Sequence, residues 1–344
     1  MFRLLNIWVS GLTFAAYSAS YVSPFSYWPL AFLGLLYPWL ALINVFFILY
    51  WLPGKRRIWA LLPLFTLLAG WGHLQGLIGF HGQDPKWDGH SPIRVLSYNV
   101  RMFQPYHAKS VQMIEPPEWK SSLDRYRPDI LCMQEYDHSP AFNTTELCRK
   151  AGMAHHVRKN GGELAIFSKH PILNASTHMF SKMYGFQFAD IRYGEKTVRI
   201  YNVHLQSNSI TGIAARVVEK GSLREKSTWR DIRGMLSRYR RAARIREEQA
   251  GVIARHIRSS PYPVVLCGDL NDVPQSYVYH QIGANLQDAF QVRGRGLGTT
   301  YAGPIPGLRI DVVLADPRLE VLSCRIGKAE FSDHRPILAV IGWE

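Results

Sequence analysis

Six short polar clusters fall in one order along the last two-thirds of a 344-residue chain, each closing a strand-like apolar run. They are Ser97-Tyr98-Asn99, Gln134-Glu135, Asn202-Val203-His204, Gly268-Asp269-Leu270-Asn271, Arg309-Ile310-Asp311 and Ser332-Asp333-His334. Together they offer carboxylates, carboxamides and imidazoles, with no cysteine nucleophile and no Gly-rich phosphate loop. Oxygen ligands hold a hard divalent cation, while Asn and His side chains can address phosphoryl oxygens. The chemistry this inventory suits is metal-assisted attack on a phosphate ester.

In 129–135 the run Ile130-Leu131-Cys132-Met133 breaks into Gln134-Glu135, so a carboxylate emerges from a core strand where it can ligate a cation. Asn99 has the same placement after 93–98 and could steady a water or a phosphate. Side chains alternate faces along a strand, so Asn202 and His204 share one face, and Asp269 and Asn271 can do the same. In Ser332-Asp333-His334-Arg335-Pro336 a carboxylate beside an imidazole can fix its tautomer or share the metal. Taken singly, each cluster has an ordinary alternative: a solvated Glu, an Asx turn, a surface or core histidine. Six in order, each closing an apolar run, are hard to obtain by chance.

The elements that must carry these groups are short runs rich in Val, Ile, Leu and Tyr: 93–98, 130–133, 164–167, 186–191, 198–203, 264–267, 310–314, 321–326 and 337–341. Few long helices alternate with them, which argues against a doubly wound parallel sheet and for two packed sheets with helices outside. One long helix is expected at about 227–259. It carries Arg230, Arg233, Arg238, Arg240, Arg241, Arg244 and Arg246, with apolar residues at partly amphipathic spacing. That stretch and the net charge of +14 suit nucleic-acid phosphate, anionic lipid, or simply a solvated face. Cys132, Cys148, Cys267 and Cys324 lack zinc spacing and read as free thiols. Asn143 and Asn174 stand in N-x-S/T sequons.

Three apolar stretches, 4–22, 28–52 and 58–80, crowd the start, and none contains Asp, Glu, Lys or Arg. Each reaches the roughly 20 residues that a bilayer core needs. Tyr21, Tyr27, Trp28, Tyr50, Trp51 and Trp59 sit near the predicted ends, as in interfacial aromatic belts, and Pro38 marks a mid-span kink. The expectation is a membrane anchor of three transmembrane helices over 1–80, a linker over 81–91 and a catalytic domain over 92–344. Arg3 and Lys55-Arg56-Arg57 put the chain start and the second loop on the cytoplasmic side. The uncharged 23–27 loop and everything after residue 80 then face outward, periplasmic or extracellular.

From about Ile93 to Ile341, the motifs Leu96-Ser97-Tyr98-Asn99-Val100, Cys132-Met133-Gln134-Glu135, Asn202-Val203-His204, Gly268-Asp269-Leu270-Asn271, Arg309-Ile310-Asp311 and Ser332-Asp333-His334-Arg335-Pro336 resemble those of the deoxyribonuclease-like endonuclease/exonuclease/phosphatase superfamily, in a membrane-anchored bacterial-type form. The resemblance implies a four-layer α/β sandwich, two packed mixed β-sheets flanked by helices, with the site at one end of both sheets. It implies Glu135 as the principal Mg²⁺ ligand, with Asn99 beside it, Asp333 contributing, and Mn²⁺ as a substitute ion. Asp269 would orient or deprotonate the water, and Asn271 would contact the phosphate. His204 would stabilise the phosphoryl group or help the leaving oxygen, and Asp311 would orient His334, which binds the phosphoryl oxygens. The implied reaction is in-line attack of water on phosphorus, with Mg²⁺ offsetting developing charge. Arg101 stands where apurinic endonucleases carry an acid, a departure that points away from DNA repair. The expected function is nuclease-like phosphodiester hydrolysis. The alternatives are a phosphatase or phospholipase-type hydrolase of lipid headgroups or phosphorylated small molecules, and a non-catalytic membrane scaffold. Expected partners are a phosphate-ester substrate, nucleic acid in the leading case, and the lipid bilayer.

Overall fold

The short apolar runs become two six-stranded sheets packed face to face. The computed structural model describes residues 1–82, 92–103, 123–136, 144–158, 162–222, 224–329 and 332–343. Asn143 and nearly all of the expected 81–91 linker lie outside the described residues.

One sheet has the spatial order β13 (Leu319–Ile326), β14 (Ile337–Trp343), β2 (Ile93–Asn99), β3 (Ile130–Gln134), β5 (Ala165–Ser168) and β4 (His155–Arg158). The other runs β10 (Gln287–Asp288), β12 (Asp311–Ala315), β9 (Val264–Asp269), β8 (Lys196–His204), β7 (Gly185–Tyr193) and β6 (Ile172–Met179). Each sheet is mixed, with one parallel pair at its centre, β2–β3 and β8–β9. Parallel neighbours need a long crossover, and that from β8 to β9 carries the helix Lys226–Arg258. Between the sheets, Val95, Cys132 and Ile166 meet Ile200, Cys267 and Val313. On the outer faces Leu131 and Phe167 lie in a second cluster, while Tyr201 and Leu266 pack with Ala250 and Ile253 of the long helix. Central strands are therefore buried on both faces, which is why they read as near-continuous apolar runs. The result is two mixed sheets flanked by helices.

The three N-terminal apolar stretches resolve into five α-helices, two short 3-10 turns (Ser18–Ser20 and Arg57–Ala60) and a strand: α1 (Phe2–Tyr17), α2 (Pro24–Leu35), α3 (Tyr37–Trp51), α4 (Leu61–Ala69), α5 (Trp71–Gln75) and β1 (Ile78–Phe80). Among the described residues no single helix is long and apolar enough to cross a membrane; the pair α2–α3, bent by 50°, passes on length and composition. Pro38 in the first turn of α3 explains the break, because it has no N–H for the carbonyl four residues back. The third stretch ends as β1, which pairs antiparallel with β11 (Arg295–Leu297).

This helical bundle buries polar groups among its apolar interior and leaves large apolar side chains exposed. Asn6, Ser10, Thr13, Asn44 and Thr66 are buried. Asn44 Nδ2 donates to Thr13 Oγ1 at 2.8 Å, and the Tyr17 hydroxyl donates to the Thr66 carbonyl at 2.9 Å. Leu4, Trp8, Leu42, Phe46, Leu49 and Phe65 instead point outward. Beyond the first 80 residues, only Leu173, Trp229 and Leu297 are comparably exposed among the described large hydrophobics.

The bundle is packed onto the sandwich. Tyr239 of the long helix donates to the Ala31 carbonyl at 2.8 Å, and Ser23 Oγ donates to Glu247 Oε1 at 2.6 Å. Gln275 Nε2 reaches the His73 carbonyl at 2.9 Å. Ala31 and Leu35 pack with Tyr239, Ala243 and Val273.

Candidate active site

Strand register brings the polar clusters to one level. Asp269, the last residue of β9, is paired with His204 on β8 and with Asp311 on β12, so the three stand in a row across adjacent strands. Across the core, Asn99 closes β2 opposite Gln134 of β3, and Glu135 follows. Gly268 makes the close approach of β9 to β8 feasible: at φ +149°, an added Cβ would lie 2.0 Å from the Val203 carbonyl oxygen. The loops at this end hold non-glycine residues at positive φ, among them Arg101 (47°) with Met102 (51°) and Phe103 (57°), Glu135 (52°), Ser209 (50°) and Asn271 (51°). Such strained backbone gathers where surrounding contacts over-determine a functional site.

The side chains then converge. Asn99 Nδ2 donates to Glu135 Oε1 at 3.0 Å and to Asp269 Oδ2 at 3.1 Å, bridging the two carboxylates, while its Oδ1 accepts from the Arg101 N–H at 3.1 Å. His204 Nε2 lies 3.7 Å from both Glu135 Oε1 and Asp269 Oδ2. His334 Nδ1 is 3.0 Å from each oxygen of Asp311, which turns Nε2 toward Asp269 Oδ2 at 3.8 Å. Asn271 donates from its backbone to Asp269 Oδ1 at 2.7 Å and from Nδ2 to Asp269 Oδ2 at 3.2 Å. Seven of the eight residues singled out from sequence thus form one contiguous constellation. The eighth, Asp333, has its nearest ionic contact with Arg101 Nε at 3.7 Å and adds to the negative field on His334.

Burial sets the electrostatics. Desolvation pushes Asp269 up to about 6; Asp311 adds to the rise, while His334 and His204 oppose it. Burial alone would disfavour a charged His334, but the Asp311 and Asp269 carboxylates outweigh it and hold the imidazole at about 10. His334 is thus a cation at neutral pH, aimed by Asp311.

A divalent cation fits this donor set. Asp269, Asp311 and His334 have ligand atoms within 4.8 Å of one another. Asp311, however, is engaged with a protonated imidazole that would repel a cation. The Glu135 carboxylate, 19% exposed, with Asp269 beside it, is the better hard-ion pair. Asn99 Nδ2 steadies both carboxylates, and its Oδ1 faces the Arg101 N–H.

Several neighbours carry no motif and were not legible. Tyr184 packs its ring edge-on to His204, with centroids 5.0 Å apart. Tyr301 packs likewise on His334 at 5.6 Å. Thr300 Oγ1 accepts from the Ile310 and Asp311 N–H groups. Arg309, part of a motif, is structural: buried, it forms a two-point pair with Asp288. Gln134 and Asn202 stitch the sheets together beneath the site, with Gln134 Nε2 to Asn202 Oδ1 at 2.6 Å and Asn202 Nδ2 to the Met133 carbonyl at 2.7 Å.

Two packed mixed sheets with carboxylates and imidazoles converging at one end define an α/β-sandwich of the phosphoester-hydrolase kind. The family model described as Endonuclease/Exonuclease/phosphatase family matches residues 96–334, and the chain belongs to that family, whose members hydrolyse phosphoesters. Residues 1–77 match a second model, described as a domain of unknown function (DUF8431). No curated protein sequence matches the chain. Similar solved structures include the endonuclease/exonuclease/phosphatase from Bacteroides vulgatus, at 18% identity over 74% of this chain and 100% of that one, with a TM-score of 0.54. The Beutenbergia cavernae protein of the same description shares 18% identity over 73% of this chain and 72% of that one, with a TM-score of 0.51. D. rerio TDP2 complexed with single strand DNA product shares 16% over 73% and 99%, with a TM-score of 0.50. At such identities the likeness is one of fold.

Proposed function

We propose that this chain is a divalent-metal-dependent phosphodiesterase whose catalytic domain is held at the outer face of a membrane. The observation that carries the reaction is the placement of two imidazole Nε2 atoms, from His204 and His334, 3.7 and 3.8 Å from one buried carboxylate oxygen of Asp269, with Glu135 alongside. A bound Mg²⁺ or Mn²⁺, held by Glu135 and Asp269, would offset negative charge on the phosphoryl oxygens. Asp269, fixed by Asn271 and Asn99, orients the attacking water and takes its proton. His334 donates from Nε2 to a phosphoryl oxygen, and Asn271 borders the same space. His204 faces the phosphoryl group or the departing oxygen. Stripping the protein with EDTA should remove hydrolysis of bis(p-nitrophenyl) phosphate, and Mg²⁺ or Mn²⁺ should restore it. Activity indifferent to the chelator would defeat the metal role.

Nucleic acid as substrate is favoured by Arg238 and Arg241, which line a polar pocket of about 490 Å³ with Gln206, Asn208 and Ser209. Asn208 Nδ2 donates to the Asn271 carbonyl at 3.2 Å, so this pocket adjoins the site. Two other arginines of the long helix are already engaged: Arg246 pairs with buried Asp272 at 3.0 Å, and Arg244 reaches the Phe25 carbonyl at the surface. A nuclease using the remaining cations should lose activity steeply with salt.

Membrane attachment is supported by the bundle's buried polar and exposed apolar residues, a pattern suited to lipid. Arg3 lies over the Trp59 ring at 5.3 Å, so the basic chain start and the region just after the basic loop share one end. Ser23 and Phe25, from the loop expected outside, bond to Glu247 of the domain expected outside.

A further inference from the structure

The long helix Lys226–Arg258 carries basic residues on two opposite sides. Arg238 and Arg241 line the polar pocket beside the active site. Trp229 lies about two and a half turns before Arg238, which sets it on the far side of the helix. Trp229, Arg233, Leu236 and Arg240 follow one another at four- and three-residue spacing and so form one stripe there. Trp229 is half exposed, Arg233 and Arg240 are exposed, and exposed Lys226 and Arg230 flank the stripe. Asp231, next to Arg230, faces Arg216 instead, at 4.0 Å.

The packing of α2 fixes where this stripe points. From Ser23 at Glu247, through Ala31 at Tyr239, to Leu35 in the cluster that holds Met235, α2 follows the long helix against its chain direction. The first turns of the long helix, 226–234, then project roughly 14 Å past the end of α2, with the helix Thr211–Lys220 packed against them. α3 leaves the same end of α2 at a bend of 50°, so it continues in broadly the same direction. It exposes Leu42, Phe46 and Leu49 along its length. The projecting end of the long helix and the apolar exterior of α3 therefore lie on one side of the catalytic domain.

Beside a bilayer that takes up α3, that end of the long helix stands at the level of the headgroups. A tryptophan suits this depth, and anionic headgroups attract Lys and Arg. A substrate strand held by Arg238 and Arg241 would pass over the opposite side of the helix. We infer that the stripe from Trp229 to Arg240 is a second membrane contact, which docks on an anionic bilayer surface and holds the catalytic domain at a fixed tilt above it. The inference rests on the membrane attachment proposed above and is independent of the substrate.

The test places a benzophenone photocrosslinker in the full-length protein at Trp229, Arg238 or Phe46 in turn. Each protein is reconstituted into nanodiscs of phosphatidylcholine, alone or with an equal part of phosphatidylglycerol, and lipid adducts are measured by mass spectrometry. Position 46 should capture lipid in both discs and position 238 in neither. Position 229 should capture lipid in the anionic discs at least about fivefold more than in the neutral ones. Arg233→Glu with Arg240→Glu should bring that yield down to the neutral-disc level, while capture at 46 in the same background confirms an inserted bundle. Capture at 46 with none at 229, equal capture at 229 and 238, or a yield at 229 indifferent to phosphatidylglycerol overturns the inference. So does capture at 229 of an added single-stranded oligonucleotide in place of lipid. No lipid adduct at 46 would instead overturn the membrane attachment beneath it.

Discussion

Asp311 and Asp269 share His334 between them, and the sharing sets how the metal-free protein responds to pH. His334 is raised from 6.5 to about 10, so its contribution to stability is complete below 6.5 and lost as pH rises through about 10. Asp269, raised from 3.8 to about 6, has the same sign: its contribution is complete below 3.8 and gone above about 6. The thermal midpoint of the metal-free protein should therefore fall between pH 7 and 10, and His334→Gln should flatten that fall. Parallel curves for the two proteins would remove His334 as the cause. Asp311→Asn takes away the acceptor that holds Nδ1, so the His334 titration followed by NMR should move down from about 10. An unmoved titration would show that Asp311 does not govern the imidazole.

The strands that position these groups were legible in so far as both their faces are buried. All nine expected runs are strands to within a few residues, because apolar side chains on both faces leave an unbroken signature. The edge strand β6 went unread, since Leu173, Asn174 and neighbouring polar residues face solvent and interrupt any apolar run. β1 was hidden at the tail of a stretch whose composition reads as helix. Period-two spacing placed Asn202 with His204 and Asp269 with Asn271, but it does not show the positive φ at Asn271 that folds its amide back onto Asp269. Tyr184 and Tyr301 reach the site only through tertiary contacts, which leave no local spacing to detect. At this scale Gly268→Ala should cost about 2–5 kcal/mol through overpacking and backbone strain, measured from urea denaturation midpoints. Arg246→Ala should cost about 3–5 kcal/mol, because it strands Asp272 buried and unpaired. A change below about 0.5 kcal/mol in either variant would contradict the packing described here.

Bundle and sandwich are joined by side-chain hydrogen bonds, a shared apolar cluster and the β1–β11 pairing rather than by chain continuity alone. Deleting residues 1–80 would uncover Tyr239, Ala243 and Val273 and leave β11 without its partner. The 92–344 piece should accordingly melt at lower temperature than the full chain and self-associate on size exclusion. A monomer with an unchanged melting temperature would show the docking to be incidental. Everything proposed for the whole molecule depends on one property, hydrolysis at the end of the sandwich where Glu135 emerges. The most direct measurement is hydrolysis of bis(p-nitrophenyl) phosphate by the full-length protein with Mg²⁺ present, wild type beside Glu135→Gln, with circular dichroism of both. A fall in kcat of at least about 10²–10³-fold with an unchanged spectrum is expected; equal rates in the two proteins would contradict the assignment of the site.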